Sequence, residues 1–239
     1  MTAMHNVVAL AIDLDGTLMD TEAEICAAVN HALATVALPP LAQEQIVRLT
    51  GAGSHRLMRA ALALAHAAAG LPSPRPLCTD GQLDGLVEVF RAHYQAILGT
   101  RTTLYPGARA ALQMLAQQGI ACVCVTNKRE DDAALLLQRF AVDGYFQALF
   151  APASEAERKP SPVMLQRAAA RLGIATSALA LIGDSDNDVA SARAAGAVAI
   201  RVQGGYDRFN PAPLPADAQF ADLAEAVAAL LPRLSKLPA

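Results

Sequence analysis

Asp13 and Asp15 stand two positions apart at the end of an apolar run, Val7 to Ile12, and Gly16 lets the chain turn sharply just beyond them. On an extended segment that spacing projects both carboxylates toward the same side. Two carboxylates held so close repel unless a cation lies between them or one of them keeps a proton. The pair therefore points to a cation site or to proton transfer, although Asp13 to Gly16 alone also suits a plain Asp-Gly turn after a strand. Other polar groups recur at comparable places. Thr126, Asn127 and Lys128 follow the apolar run Ile120 to Val125, and Gly183-Asp184-Ser185-Asp186-Asn187-Asp188 follows Leu179 to Ile182.

The elements that must position these groups read as strands buried on both faces, because their apolar runs are continuous rather than alternating. Strands are predicted over Val7–Ile12, Ile120–Val125, Ala148–Phe150, Leu179–Ile182 and Ala197–Val202. Helices are predicted between them, from Pro106-Gly107 to Gln118 with Gly119 as its stop, from Asp131 to Phe140, from Val163 to Leu172, after Asp188 to Ala195, and from Leu223 to Leu231. Such alternation implies a parallel sheet with right-handed crossovers and helices on both faces. The carboxyl ends of the strands then share one edge, where open α/β sheets bind ligands, which gathers Asp13, Asp15, Thr126 and Asp184 into one crevice. Residues after Leu18 read differently. Helical patterns over Glu22–Ala37, Ala42–Leu49, Ser54–Ala69 and Gln82–Leu98, punctuated by Pro39-Pro40 and the proline-rich Leu71 to Pro76, predict an all-helical insert after the first strand. Thr21 with Glu24 has the form of a capping box, and Ser54 is expected to cap the third of these helices.

Composition narrows the class. Of 239 residues, 54% are hydrophobic and 17% charged, which excludes a disordered chain and allows a sizeable core. A net charge of −3 gives no basic excess for nucleic acid, and no apolar stretch approaches the ~18 residues of a membrane span. Neither nucleic acid nor membrane is an expected partner. Without a basic segment before its first apolar run, the amino terminus lacks the form of a secretion signal, so a cytoplasmic setting is expected. Cys26, Cys78, Cys122 and Cys124 lack zinc-site spacing and read as packing residues, and the five histidines form no metal-ligand pattern.

Taken together and in order, Asp13-Leu14-Asp15-Gly16-Thr17, Val125-Thr126-Asn127, Lys159-Pro160 and Gly183-Asp184-Ser185 with Asp188 resemble the four motifs of the haloacid dehalogenase superfamily of phosphotransferases. The resemblance covers essentially the whole chain. It implies a Rossmann-like parallel-sheet core made of residues 1–18 and 99–239, with an all-helical cap domain at 19–98. By the same resemblance, Asp13 is the nucleophile that forms an aspartyl-phosphate, and Asp15 is the acid that protonates the leaving alkoxide and the base that then activates water. Thr126, Asn127 and Lys159 would bind the phosphate. Mg²⁺ would be held by the Asp13 carboxylate, the Asp15 backbone carbonyl and Asp184, with Asp188 as a support for Lys159 or for metal-bound water. A second carboxylate two residues after the first favours phosphate chemistry over carbon-halogen cleavage.

The expected substrate is a small phosphate ester. Phe90-Arg91-Ala92-His93-Tyr94, Leu104-Tyr105-Pro106-Gly107, Val125-Thr126-Asn127-Lys128 and Gly204-Gly205-Tyr206 are similar to stretches of bacterial phosphoglycolate phosphatases, which implies 2-phosphoglycolate. A sugar phosphate such as N-acetylmuramate 6-phosphate is the alternative, and a β-phosphoglucomutase-like phosphotransferase a further one. Where that group often reads Gly-Asn-Gly, this chain has Gly51-Ala52-Gly53, a loop opening a helix where backbone N–H groups suit an anion and where His55, Arg56 and Arg59 are close in sequence. An ordinary interhelical turn explains that loop equally well. Either a monomer or a homodimer is compatible with an insert of this kind.

Overall fold

The structure, a computed structural model, describes residues 6–51, 53–70 and 79–237. Ala52, the proline-rich stretch Leu71 to Pro76 and Cys78 lie outside the described residues. The chain divides into two compact units, Met1–Asp20 with Thr103–Ala239, and Thr21–Thr102.

In chain order, the first unit opens with strand β1 (Ala9–Ile12) and the two-residue β2 (Met19–Asp20). The second unit consists of helices α1 (Glu22–Thr35), α2 (Gln43–Val47), α3 (Ser54–Ala68) and α4 (Asp80–Ile97). The chain then returns through β3 (Thr103–Leu104), α5 (Ala108–Gln117), β4 (Ala121–Val125), α6 (Glu130–Arg139), β5 (Leu149–Phe150), α7 (Val163–Leu172), β6 (Leu179–Gly183), α8 (Asp186–Ala195), β7 (Val198–Val202), β8 (Ala218–Phe220) and α9 (Leu223–Leu230). Six strands form one sheet in the order β5-β4-β1-β6-β7-β8, with every neighbouring pair parallel. That is the expected α/β class.

Every residue of β1, β4, β6 and β7 is buried, as continuous apolar runs require. On one face Ala9, Ala11, Val123, Val125 and Leu181 pack with Met164, Leu165 and Ala168 of α7 and Val189 and Ala192 of α8. Cys122 and Cys124 alternate with that set, and burial pushes the Cys122 thiol up to about 12, so it stays protonated and inert as a packing residue should. Central β1 lies between β4 and β6, and the chain crosses from one side of it to the other. The sheet therefore has its switch point at β1, and the loops after β4, β1 and β6 line a shared edge.

Three local expectations fail. Residues 19–20 are strand rather than the start of the helical segment, because Met19 and Asp20 pair antiparallel with Leu104 and Thr103. Thr21 precedes α1 without a side-chain cap, since the Glu24 carboxylate that would close a capping box is engaged elsewhere. It accepts hydrogen bonds from the backbone N–H groups of Gly99 (3.0 Å), Arg101 (2.6 Å) and Thr102 (2.9 Å) and from the Thr102 hydroxyl (2.8 Å). Ser54 is the first residue of α3 rather than its cap. That position falls to Gly53 at φ +90°, and no side chain caps it. No helix among the described residues is long and apolar enough to cross a membrane.

Candidate active site

Three adjacent strands carry the site. β1 leads directly into Asp13, whose N–H donates to the Ile182 carbonyl of β6 (2.9 Å), and Thr126, the residue after β4, donates its N–H to the Phe150 carbonyl (3.0 Å). Asp184 follows β6 directly. The predicted residues Asp13, Asp15, Thr126, Asn127, Lys159, Asp184 and Asp188 are all in the first unit, and Lys159 makes contact with Asp13, Asn127 and Asp188.

Lys159 is the hub. Its buried ammonium donates to Asp13 Oδ1 (2.8 Å), Asp188 Oδ1 (2.6 Å) and the Val125 carbonyl (3.0 Å). An ammonium has three protons, so each has an acceptor. The two carboxylates hold the Lys159 pKa above the usual lysine range even though burial alone would lower it. Asp13 Oδ1 also accepts the Leu14 N–H at 2.7 Å. The second oxygen of Asp188 accepts from the Ser185 N–H (3.1 Å) and hydroxyl (2.5 Å), so Asp188 both caps α8 and anchors Lys159.

Asn127, expected to bind phosphate, is occupied otherwise. Its amide oxygen accepts the Lys159 N–H (2.7 Å) and its amide nitrogen donates to the Lys159 carbonyl (3.0 Å), which clamps the lysine's backbone to the end of β4. The Thr126 hydroxyl oxygen accepts the Lys128 N–H at 3.1 Å. Lys128 is paired with Asp15, its ammonium 2.8 and 3.0 Å from the two carboxylate oxygens and its side chain 6% exposed. Asp13 and Asp15 thus each have their own lysine.

Asp184 sits in a cradle that sequence reasoning missed. Its Oδ2 accepts the N–H groups of Tyr206 (2.6 Å) and Asp207 (3.3 Å), while the Thr17 hydroxyl donates to Oδ1 (3.3 Å). A side chain at Gly16, where φ is +86°, would place its Cβ 2.5 Å from Asp184 Oδ2, and one at Gly205 would come within 2.3 Å. The adjacent glycines of Gly204-Gly205-Tyr206 were the available signal, since paired glycines mark a close approach of backbone to something else.

Carboxylate oxygens of Asp13, Asp184 and Asp188 lie within 4.8 Å of one another. Burial, then the charge of Asp188, raises Asp13 well above the usual carboxylate range against the pull of Lys159. Burial and Asp188 likewise push Asp184 up to about 7. With all three carboxylates ionised, one ammonium would leave a surplus of two negative charges in a buried place, which a divalent cation would cancel. The donors are hard oxygens, the type that suits Mg²⁺. Asp188 gives one oxygen to the Lys159 ammonium and the other to two Ser185 donors, whereas Asp184 Oδ1 meets only the longer contact from the Thr17 hydroxyl and both contacts of Asp13 fall on Oδ1, so Asp13 and Asp184 are the better placed to face an ion.

In the helical unit, His55 contacts Asp84 (3.1 Å) and Arg59 contacts Asp80 (3.2 Å), both across to α4. Two of the three basic groups near the glycine loop therefore already face carboxylates.

Residues 10–202 match the haloacid dehalogenase-like hydrolase family. A curated phosphoglycolate phosphatase encoded on a plasmid of Cupriavidus necator is 38% identical over 232 residues, covering 97% of this chain and 96% of that protein. Another from Neisseria gonorrhoeae is 34% identical over 206 residues, 85% of this chain and 83% of the relative. Among solved structures, a predicted phosphoglycolate phosphatase from Haemophilus somnus superposes with a TM-score of 0.84 at 26% identity, covering 95% of this chain and 99% of that one.

Proposed function

Because the chain belongs to the haloacid dehalogenase-like hydrolases and is a phosphoric monoester hydrolase, we propose that it hydrolyses 2-phosphoglycolate to glycolate and phosphate through an aspartyl-phosphate on Asp13. The observation that carries the mechanism is the separate pairing of the two acids, Asp13 with Lys159 and Asp15 with Lys128, at one strand end. That arrangement supports two distinct roles for chemically identical side chains.

In the first step an Asp13 carboxylate oxygen attacks phosphorus, the P–O bond to the alcohol breaks, and Asp15 gives its proton to the departing alkoxide. In the second, Asp15 takes a proton from water, the water oxygen bonds to phosphorus, and the acyl-phosphate bond breaks to regenerate the Asp13 carboxylate. Lys159 holds Asp13 in place and supplies positive charge beside the transferring group, and Asn127 fixes Lys159 by its backbone rather than touching phosphate. The Thr126 hydroxyl retains a proton to donate to a phosphate oxygen. Asp13 and Asp184, with the Asp15 carbonyl, would hold Mg²⁺, and the bound ion would neutralise charge on the phosphoryl oxygens. Asp188 supports this from behind through Lys159. The helical unit Thr21–Thr102 is assigned the cap's part, selection of the leaving group.

The choice of 2-phosphoglycolate is supported by relatives that bear that activity in their names and align over most of both chains. The test is kcat/KM for 2-phosphoglycolate beside N-acetylmuramate 6-phosphate, other sugar phosphates and pyrophosphate, with and without EDTA. The reading expects 2-phosphoglycolate to lead and EDTA to abolish turnover. A sugar phosphate in first place would overturn the substrate while leaving the chemistry standing.

A further inference from the structure

Arg201 lies on β7, inside the sheet, and is 4% exposed. A guanidinium there needs a reason, since a buried charge is costly unless paired and hydrogen-bonded. Its partners all belong to the surroundings of Asp184. Nη1 donates to the Asp184 backbone carbonyl (2.8 Å) and to Asp207 Oδ2 (3.1 Å). Nη2 donates to Asp186 Oδ1 and to the Leu214 carbonyl (3.4 Å). Asp186 in turn accepts the Leu214 N–H (2.8 Å) and the Asn210 amide (2.9 Å), and the same Asn210 amide donates to Asp207 (3.1 Å). One planar fork therefore ties the end of β6 to the segment after β7.

That segment carries the two N–H groups that grip Asp184 Oδ2. Arg201 thus acts on Asp184 from two directions, through its own carbonyl and through Asp207. We propose that Arg201 is a positioning residue for cation binding: it holds the Tyr206 and Asp207 N–H groups on Asp184 Oδ2 and so turns Oδ1, which meets only the Thr17 hydroxyl at 3.3 Å, toward a divalent ion. The inference rests on the reading of Asp184 as a metal ligand.

Two physical effects oppose each other here, and their signs differ. Removing a cation from beside a cluster of carboxylates deepens the negative potential and, by Coulomb's law alone, tightens the binding of a divalent ion. Loss of positioning lets the Asp184 carboxylate turn and weakens it, by roughly 10- to 100-fold where an outer partner orients a metal ligand.

The experiment titrates metal-stripped, full-length protein with Mn²⁺, following the free ion by electron paramagnetic resonance below the melting temperature of each variant. The expected result is a Kd raised at least about ten-fold in Arg201→Met. Asp207→Ala should shift it in the same direction, and Arg201→Lys should raise it at least as far as Arg201→Met, because an ammonium loses the fork yet keeps the positive charge that opposes a divalent ion. KM for the ester at saturating Mg²⁺ should stay near that of the wild type, with the Mg²⁺ requirement carrying the change. A purely structural role would lower Tm and leave the Kd of the folded variants alone. Unchanged or tighter Mn²⁺ binding in folded Arg201→Met overturns the proposal. Should that variant not fold, the half-buried Asp207→Ala decides in the same way. If Asp184→Asn abolishes binding while Arg201→Met leaves it intact, only the inference about Arg201 fails. A wild-type protein that binds no Mn²⁺ overturns both it and the metal reading beneath it.

Discussion

At the scale of single residues, the site separates groups that react from groups that hold them. Asp13→Asn keeps the shape of the side chain and an oxygen that can accept from Lys159, but an amide cannot attack phosphorus. Phosphate release should fall to background. The melting temperature of the metal-free variant should not drop, because the native site already disfavours charge at this position through burial and the neighbouring Asp188 and Asp184. Phosphate release and calorimetry on one preparation check both halves, and a variant that loses activity only by unfolding would contradict the assignment. Gly205→Ala makes the complementary case. Its Cβ would lie 2.3 Å from Asp184, so Asp184 or the Tyr206 N–H must move, and activity should fall by at least about ten-fold with a higher Mg²⁺ requirement. Asp13, Asp15 and Asp184 were legible because each ends an apolar strand. The partners of Lys128 and Asn127 were not, since a lysine or amide after a strand has the same local sequence whether it meets substrate, solvent or a neighbouring backbone.

At the scale of elements, legibility followed length except at the two-residue β5, which the apolar run Ala148 to Phe150 still marked. Buried strands of four or five residues announce themselves as continuous apolar runs, whereas β2, β3 and β8 have two or three residues and no measurable period. β2 and β3 also pair across the entire helical insert, a contact no local pattern encodes. Glu24 illustrates how tertiary contact overrides a local motif. Three residues after Thr21 it has the form of a capping partner, yet its fully buried carboxylate receives four donors from Gly99, Arg101 and Thr102 at the far end of the same unit. Glu24→Ala would strand three backbone N–H groups and should destabilise the protein by about 3 kcal/mol or more. Glu24→Gln should recover only part of that, because its amide offers one acceptor oxygen where the carboxylate offers two. Urea denaturation measures both, and a loss below about 1 kcal/mol for the alanine variant would show that water satisfies these donors.

At the scale of the whole molecule, the charge surplus around Asp13 and Asp184 ties stability to pH and to metal. Both carboxyls hold their protons to higher pH in the folded protein than in the unfolded chain, with Asp184 at about 7 and Asp13 also raised well above the usual carboxylate range. Between about pH 4, where unfolded carboxyls ionise, and about pH 7, the native state therefore carries more protons than the unfolded one. Stability contributed by these two groups falls as pH rises through that window. Lys159 does not offset the trend, because its raised pKa leaves it charged throughout. A divalent ion reverses it, since binding needs the carboxylates deprotonated and stabilises only the folded form. The melting temperature of metal-stripped protein, compared with Asp184→Asn to remove the background of other titrating groups, should fall from pH 5 to pH 7.5. The upward shift on adding Mg²⁺ should grow over the same range. Calorimetry at four or five pH values checks both slopes. A Mg²⁺ shift that is the same at pH 5 as at pH 7.5 would mean that the ion binds away from these carboxylates, and the assignment of Asp13 and Asp184 as its ligands would fall with it.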